Sequence, residues 1–352
     1  MLSKKVLLQG SLCSSTFFNT IERGSMTLLD DLQKEGVRAD LLARVKAFQD
    51  RYPLEKEEAI RVRRPPFFYM GRRVWEQAIS ALLAGENLLL TGPKATGKNV
   101  LAENLAYLFQ RPAWTVNFHI NTDASTLIGT DTFQNGQVQY RRGPILEAAL
   151  HGGFAILDEI NMARNDAVAV LHAALDYRRS IDLPGYDRFD LREETRFIAT
   201  MNYGYIGTRE LNEALASRFL ILQMPPITEE ALVRLLQSQE ADLTDEWAVQ
   251  LAGLFHDLQL KSDQAELSSK SVDLRGLLAA IQLIRQGLPP HQALEMGLVN
   301  KSFDPFEQDL VRDCIALRIP QKTPPQALFK QAPSDEDAAF SDPPAGEEAR
   351  LD

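Results

Sequence analysis

Cysteine is almost absent from this chain of 352 residues: Cys13 and Cys314 are the whole supply. Two thiols cannot build a disulfide framework or a Cys-rich metal site, so both read as structural and a reducing compartment is the natural setting. Long apolar runs are missing as well. No stretch approaches the ~20 apolar residues of a membrane span. After Lys4 and Lys5 the run Val6-Leu7-Leu8 stops at three residues, short of the ~7–15-residue core of an export signal. Leu12, before Cys13, is not the small residue that a lipoprotein signal places there. The expected location is therefore cytoplasmic, with no membrane insertion. Positive charge is also in deficit, the formal net being −10. Capture of phosphate backbones needs clustered excess Lys and Arg, so no direct nucleic-acid partner is expected. No internal repeat is evident.

What is present is a globular balance, 45% apolar and 24% charged, in a chain long enough for two domains. Residues 1–64 read as a partly helical leader, with helical spacing at Leu28, Leu29, Leu32, Val37, Leu41, Leu42, Val45 and Phe48, broken near Gly36. Residues 1–25 show little periodicity and Met26 opens the helical pattern, so an over-extended start is one reading of the N-terminus. Arg61, Arg63, Arg64, Arg72 and Arg73 flank Pro65-Pro66-Phe67-Phe68-Tyr69-Met70-Gly71, either as a solvated surface or as a contact with a subunit or partner.

Between 87 and 226 short apolar runs at 88–90, 114–118, 154–157, 197–200 and 219–222 alternate with helical stretches. Near-continuous apolarity marks strands buried on both faces. The expected fold class is α/β: a five-stranded, mainly parallel sheet with helices on both faces, over 65–226, followed by a small all-α lid domain over 227–322. From 323 to 352 the composition turns to Pro, Ala and acid and predicts a disordered tail. Seven acidic residues and one arginine over 333–352 account for −6 of the −10 and leave −4 on the body.

The strongest chemical signal is Gly92-Pro93-Lys94-Ala95-Thr96-Gly97-Lys98-Asn99, set between the strand at 88–90 and a helix opening at Val100. Glycines let successive N–H groups wrap phosphates, Lys98 can reach the β- and γ-phosphates, and the helix N-terminus adds partial positive charge. Such loops end Lys-Ser or Lys-Thr, whose hydroxyl meets Mg²⁺; here Asn99 follows Lys98. An amide oxygen can also ligate a hard cation, or hold it poorly, which bears on hydrolysis and not on binding.

A second strand, Phe154-Ala155-Ile156-Leu157, delivers Asp158 and Glu159 to its carboxyl end, where open α/β sheets bind ligands. Asp158 suits a metal held through water, and Glu159 suits polarising an attacking water. A third, Phe197-Ile198-Ala199-Thr200, ends in Met201-Asn202 and is expected between the first and third strands. Asn202 there can bond a γ-phosphate or water, or be a turn residue.

These three motifs, in this order, resemble the AAA+ superfamily, and the finer detail resembles its MoxR group, with the CbbQ, NorQ and GvpN-like ATPases of the helix-2-insert clade, over roughly residues 65–300. The telling residues are Leu127-Ile128-Gly129-Thr130, Gly136, Arg141 to Pro144, Gly152-Gly153, the run from Asp158 to Asn161, and Leu211 to Phe219. The resemblance implies ATP and Mg²⁺ as cofactors, with Asn99 and Asp158 toward the metal and Glu159, Asn202, Arg218 and Arg275 in catalysis. It implies insertions at about 123–142 and 180–194 on the ring face or pore. The turn residues in Phe133-Gln134-Asn135-Gly136-Gln137-Val138 agree with the first.

Arg218 looks like the arginine finger that reaches a neighbour's γ-phosphate; as a residue type alone it also suits a helix C-terminus. Arg275 looks like the second sensor arginine, with Lys270 or a surface role as alternatives, and Arg209 is a further candidate at the subunit junction. The implied partners are copies of the chain in a hexameric ring, a protein client that is remodelled or activated, and a protein with a von Willebrand factor A domain. Two rivals are a nucleotide-gated binding module with little hydrolysis and a McrB-like motor of a DNA-processing complex, though no concentrated basic stripe favours the latter. Residues from Phe67 to Met70 can pack on a base or simply in the core.

Overall fold

The computed structural model describes residues 27–183, 185–203 and 211–330. Cys13, Arg209 and the acidic stretch after Lys330 lie outside the described residues.

Three helices open the structure: α1 (Leu28–Lys34), α2 (Ala39–Arg51) and α3 (Lys56–Ala59). Thr27 starts α1 by a reciprocal cap, its hydroxyl accepting from the Asp30 N–H while its own N–H donates to the Asp30 carboxylate. Gly36, at φ +82°, takes the left-handed turn that ends α1 and redirects the chain. The chain then runs through α4 (Arg72–Leu83), β1 (Leu88–Gly92), α5 (Lys98–Leu108), β2 (Ala113–Asn117), α6 (Ala124–Ile128), a hairpin of β3 (Gly129–Gln134) and β4 (Gln137–Arg142), α7 (Pro144–Leu150) and β5 (Phe154–Asp158). It continues as α8 (Asn165–Val168), α9 (His172–Leu175), a second hairpin of β6 (Ser180–Asp182) and β7 (Arg188–Asp190), β8 (Arg196–Asn202), α10 (Glu213–Ala216) and β9 (Leu220–Gln223).

Five strands form one sheet in the order β2-β5-β8-β1-β9, every neighbouring pair parallel. β8 lies between β5 and β1, the position that the motif order predicts. Side chains alternate across it. Leu88, Leu90, Phe154, Ile156 and Ile198 enter one core; Leu89, Ala155, Leu157, Phe197 and Ala199 enter the other. The central strands β1, β5 and β8 thus bury both faces and read as unbroken apolar runs. The edge strands β2 and β9, expected to do the same, expose Thr115 on one and Leu220 and Ile221 on the other because each has a neighbour on one side only.

The leader belongs to the first of these cores. Leu32, Leu41, Val45 and Phe48 are buried with Leu88, Leu90 and Leu105. Buried Arg111 fixes the join by donating to the carbonyls of Tyr52 at 2.9 Å and Gly152 at 2.7 Å. Of the arginines around 61–73, Arg61 stacks its guanidinium 4.8 Å from the Trp114 ring centroid and Arg72 pairs with Glu76 at 2.9 Å.

Both hairpins fall where the resemblance places insertions. Tyr186, on the second, packs its ring 4.9 Å from Tyr140 of the first and donates its hydroxyl to Asp131. At the tip of the first, Phe133 and Val138 face each other across the strands and are 74% and 65% exposed.

The helical unit comprises α11 (Glu229–Gln239), α12 (Asp245–Asp263), α13 (Leu274–Arg285), α14 (Pro290–Gly297) and α15 (Pro305–Arg318), around its own apolar core. Thr228, Thr244, Asp273 and Asp304 cap four of these helices with side-chain oxygens, each cap contributing about 1 kcal/mol. α13 and α14 cross at Gly276 and Gly297, where a Cβ on Gly276 would stand 2.0 Å from the Gly297 carbonyl oxygen. Glu35 joins leader, core and helical unit: its carboxylate accepts from the Gly71 N–H at 3.1 Å and pairs with Arg234 of α11 at 3.0 Å.

The tail expected to be disordered from 323 is ordered at its beginning. Residues Pro325–Leu328 form a 3₁₀ turn, Leu328 is fully buried, and Phe329 bridges to Leu243 under the Arg285 guanidinium. Composition missed this because two adjacent apolar residues suffice to seal the helical core, whatever the average of the segment. Among the described residues no helix is long and apolar enough to cross a membrane.

Candidate functional site

The loop from Gly92 to Asn99 leaves the carboxyl end of β1 and enters α5. Gly97 caps the helix at φ +77°, and a Cβ there would press on the Tyr69 ring at 3.1 Å, so backbone conformation and space both call for glycine. Ala95 also takes a left-handed conformation, at φ +61°, and packs against the core of the helical unit. Pro93 and Lys94 are exposed on the outer turn, while Thr96 is buried and donates to the Pro93 carbonyl at 3.1 Å. Val100 packs its side chain under the loop against the first core.

Lys98 is buried. Its ammonium donates to the carbonyls of Gly92 at 2.9 Å and Pro93 at 2.7 Å and to the Thr96 hydroxyl at 3.2 Å. Burial pulls its pKa down to about 8, against the opposing pull of Asp158 and Glu159. A cation held by loop oxygens at the N-terminus of an eleven-residue helix suits a phosphate chain.

Parallel register assembles the rest. Gly92 pairs with Asn202, and β5 ends one strand further over, so Asp158, Glu159 and Asn202 open onto the same end of the sheet as the loop. Asn99 donates its amide to Asp158 Oδ2 at 2.8 Å, and Thr200 donates its hydroxyl to Asp158 Oδ1 at 2.5 Å. The same Thr200 oxygen accepts from the Glu159 N–H at 3.2 Å. Thr200 was not among the sequence-derived candidates; its one signal is a hydroxyl in an otherwise apolar strand. Asn99 and Asp158 are thus in direct contact, and an amide and a carboxylate side by side fit a hard cation that would take its remaining ligands from water and phosphates.

Glu159 stands at φ +55°, a left-handed conformation that a non-glycine residue adopts at a cost. It follows the buried strand yet keeps its side chain exposed, where Asn202 donates to Oε1 at 3.3 Å. A strained turn that presents a carboxylate beside an amide suits the holding of a water molecule.

Arg218 sits elsewhere. It precedes β9, whose first residue pairs with the first residue of β1, so it marks the amino end of the sheet. The loop lies past the other end of β1, four residue steps of about 3.3 Å away, on the order of 13 Å. Arg218 is held locally, donating to the carbonyls of Ala214 and, at 3.4 Å, His172. Arg275 opens α13 and is exposed; its charge restrains the rise that burial and Asp158 impose on the carboxyl of Glu103, a residue of α5.

Residues 87–219 match the AAA domain of the dynein-related subfamily. The uncharacterized protein YojN of Bacillus subtilis (strain 168) is 32% identical over 297 residues, spanning 83% of this chain and 97% of that relative. This chain belongs to the AAA family, as a relative of YojN. An uncharacterized protein of Staphylococcus saprophyticus is 31% identical over 253 residues, 70% of this AAA protein and 95% of the relative. One of Staphylococcus aureus (strain bovine RF122 / ET3-1) is 30% identical over the same shares. The matched span of the AAA domain runs from the residue before β1 to the residue before β9 and so includes the loop, Asp158, Glu159, Asn202 and Arg218.

The depressed pKa of Lys98 has a signed consequence. The folded-state value, about 8, is below the ordinary 10.5. The folded apoprotein therefore binds fewer protons than the unfolded chain between these values, and its stability rises with pH across that window. Affinity for a phosphate chain that pairs with this ammonium is expected to have the opposite trend, because the charge is lost: above pH of about 8 it should fall by up to about tenfold per unit. Titration with a fluorescent ATP analogue from pH 6.5 to 9.5 measures the fall, and Lys98→Arg should flatten it.

Proposed function

We propose that this protein binds and hydrolyses ATP with Mg²⁺ at the carboxyl end of its sheet, in a ring where each subunit completes its neighbour's site. The activity serves as a MoxR-type chaperone or activator that remodels a partner protein. One observation carries the proposal: Lys98, Asn99, Asp158, Glu159 and Asn202 converge at one end of the sheet while Arg218 stands at the other. A site split in this way is complete only when the amino end of one sheet faces the carboxyl end of the next.

Lys98 and the loop N–H groups hold the phosphates. Asn99 and Asp158 hold Mg²⁺, which screens phosphate charge. Glu159 takes the proton of the attacking water, with Asn202 fixing its carboxylate, and Arg218 from the neighbour stabilises the charge that develops. Arg275, in the first turn of α13, couples nucleotide state to the angle of the helical unit. The hairpins joined through Tyr186 carry the motion outward, and the exposed tip of Phe133 and Val138 meets the client. The MoxR resemblance extends the proposal to a hexamer and to a partner with a von Willebrand factor A domain.

A second reading, a nucleotide-gated module with little hydrolysis, draws on the Asn99 amide bonded to Asp158 where a hydroxyl is usual. Steady-state ATPase assays with Mg²⁺ across protein concentrations, on wild type and Asn99→Thr, separate the two. Turnover per subunit that rises cooperatively with concentration supports the ring ATPase. Tight ATP binding without turnover in wild type, restored by Asn99→Thr, supports the gated module instead.

A further inference from the structure

Arg218 shares its end of the sheet with a carboxylate that neither the motifs nor the resemblance assigned. Asp176 follows α9, and its Oδ2 lies 3.9 Å from the Arg218 Nη2. The Asp176 side chain is itself clamped. Arg178 donates to it through Nε at 3.1 and 3.2 Å, through Nη2 at 2.7 Å, and through its backbone N–H at 2.9 Å. Between the two, Tyr177 is 93% exposed, so this turn stands at the protein surface and not inside the fold.

The geometry has an asymmetry. Arg178 takes both oxygens of Asp176 in a close fork, whereas Arg218 approaches only one of them and at the outer limit of an ion pair. Asp176 is therefore fixed by Arg178, and Arg218 is loosely tethered by Asp176 while the Ala214 and His172 carbonyls hold its other nitrogens. The positive field of Arg218 and Arg178 also reaches His172, whose pKa burial and these charges lower. A loose tether on a surface guanidinium orients it without occupying it, and a phosphate chain of higher charge can draw it away.

We infer that Asp176, clamped by Arg178, is a positioning residue for Arg218, holding the guanidinium at the subunit surface for the phosphate chain of ATP bound to the next copy. This rests on the trans role of Arg218 proposed above. Asp176→Asn removes the tether's charge and leaves the residue's own nucleotide loop untouched. The kcat should fall, on the order of 10²-fold for a misplaced catalytic group, with KM for ATP unchanged, and Asp176→Glu should recover part of the loss.

Mixed assemblies read which subunit the residue serves. Asp176→Asn mixed with Glu159→Gln should regain turnover, because an intact Glu159 then meets an intact Arg218 with its tether. Asp176→Asn mixed with Arg218→Ala should regain none, both lesions being on one face. An unchanged kcat in Asp176→Asn overturns the inference. So does failure of the Glu159→Gln mixture where Arg218→Ala with Glu159→Gln recovers, since Asp176 then serves its own subunit's site or fold. If that control itself fails, the trans assignment of Arg218 is what falls. Thermal melting of each variant, matched to wild type, confirms that folded subunits are being compared.

Discussion

Replacing Arg218 by alanine should lower ATP turnover by about 10³–10⁵-fold, the range that a charge-stabilising arginine supplies in nucleotide hydrolases. ATP binding to the same subunit should persist. Arg218 stands at the amino end of β9 while Lys98 and its loop stand past the carboxyl end of β1, so the two lie at opposite ends of the sheet within one subunit. Its local partners are two carbonyls and, at 3.9 Å, the Asp176 carboxylate, and none belongs to an apolar core, so its loss should leave folding intact. The measurement is steady-state turnover of Arg218→Ala alone and mixed with Glu159→Gln. In a ring of head-to-tail contacts, equal mixing places an intact Glu159 against an intact Arg218 at about one junction in four. Recovery toward that fraction supports the shared site. Turnover that stays at the level of the separate variants would remove Arg218 from the trans role.

Glu159→Gln should cost about 10²–10⁴-fold in turnover, the range for loss of a positioned general base. Here too ATP binding should be retained. The amide keeps the volume and the hydrogen bond from Asn202 only if it presents its oxygen, but it cannot take a proton. The side chain is exposed and no core contact depends on it, so melting temperature in the absence of nucleotide should hold. With ATP present the variant should accumulate assembled, ATP-bound rings, visible by size-exclusion chromatography coupled to light scattering. A variant that turns over ATP at the wild-type rate would take Glu159 out of the chemistry and leave its strained backbone without a functional reason. The two substitutions together test the proposed halves of the site, with Glu159 on the subunit that binds the nucleotide and Arg218 on the one that meets it.

Much of the candidate site was legible in the chain because the chemistry it offers is local. A phosphate loop needs glycine at fixed offsets from lysine, and Gly97 and Lys98 are consecutive residues at a helix start. Asp158 and Glu159 announce themselves as charges that end an apolar run. Thr200 did not, because a hydroxyl inside a strand is common, and only the register of β5 and β8 shows it bonded to Asp158. Asp176 was silent for the same reason: 42 residues separate it from Arg218, and no periodicity links them.

The sequence by itself determined the elements and their layering. Unbroken apolar runs mark the central strands β1, β5 and β8, buried on both faces, helical spacing marks α2, α4 and the helices after Pro226, and the turn residues of the first hairpin sit at the spacing that its strands require. Tertiary structure alone decided what those elements meet. An amphipathic helix states that it has a partner but not which one, so the burial of the leader in the core of the AAA unit, and of Leu328 in the helical unit, waited on packing. Parallel register alone set Lys98, Asp158 and Asn202 together and Arg218 apart, since alignment between strands that are far apart in sequence is fixed by the fit of side chains across the whole sheet and not by any one segment.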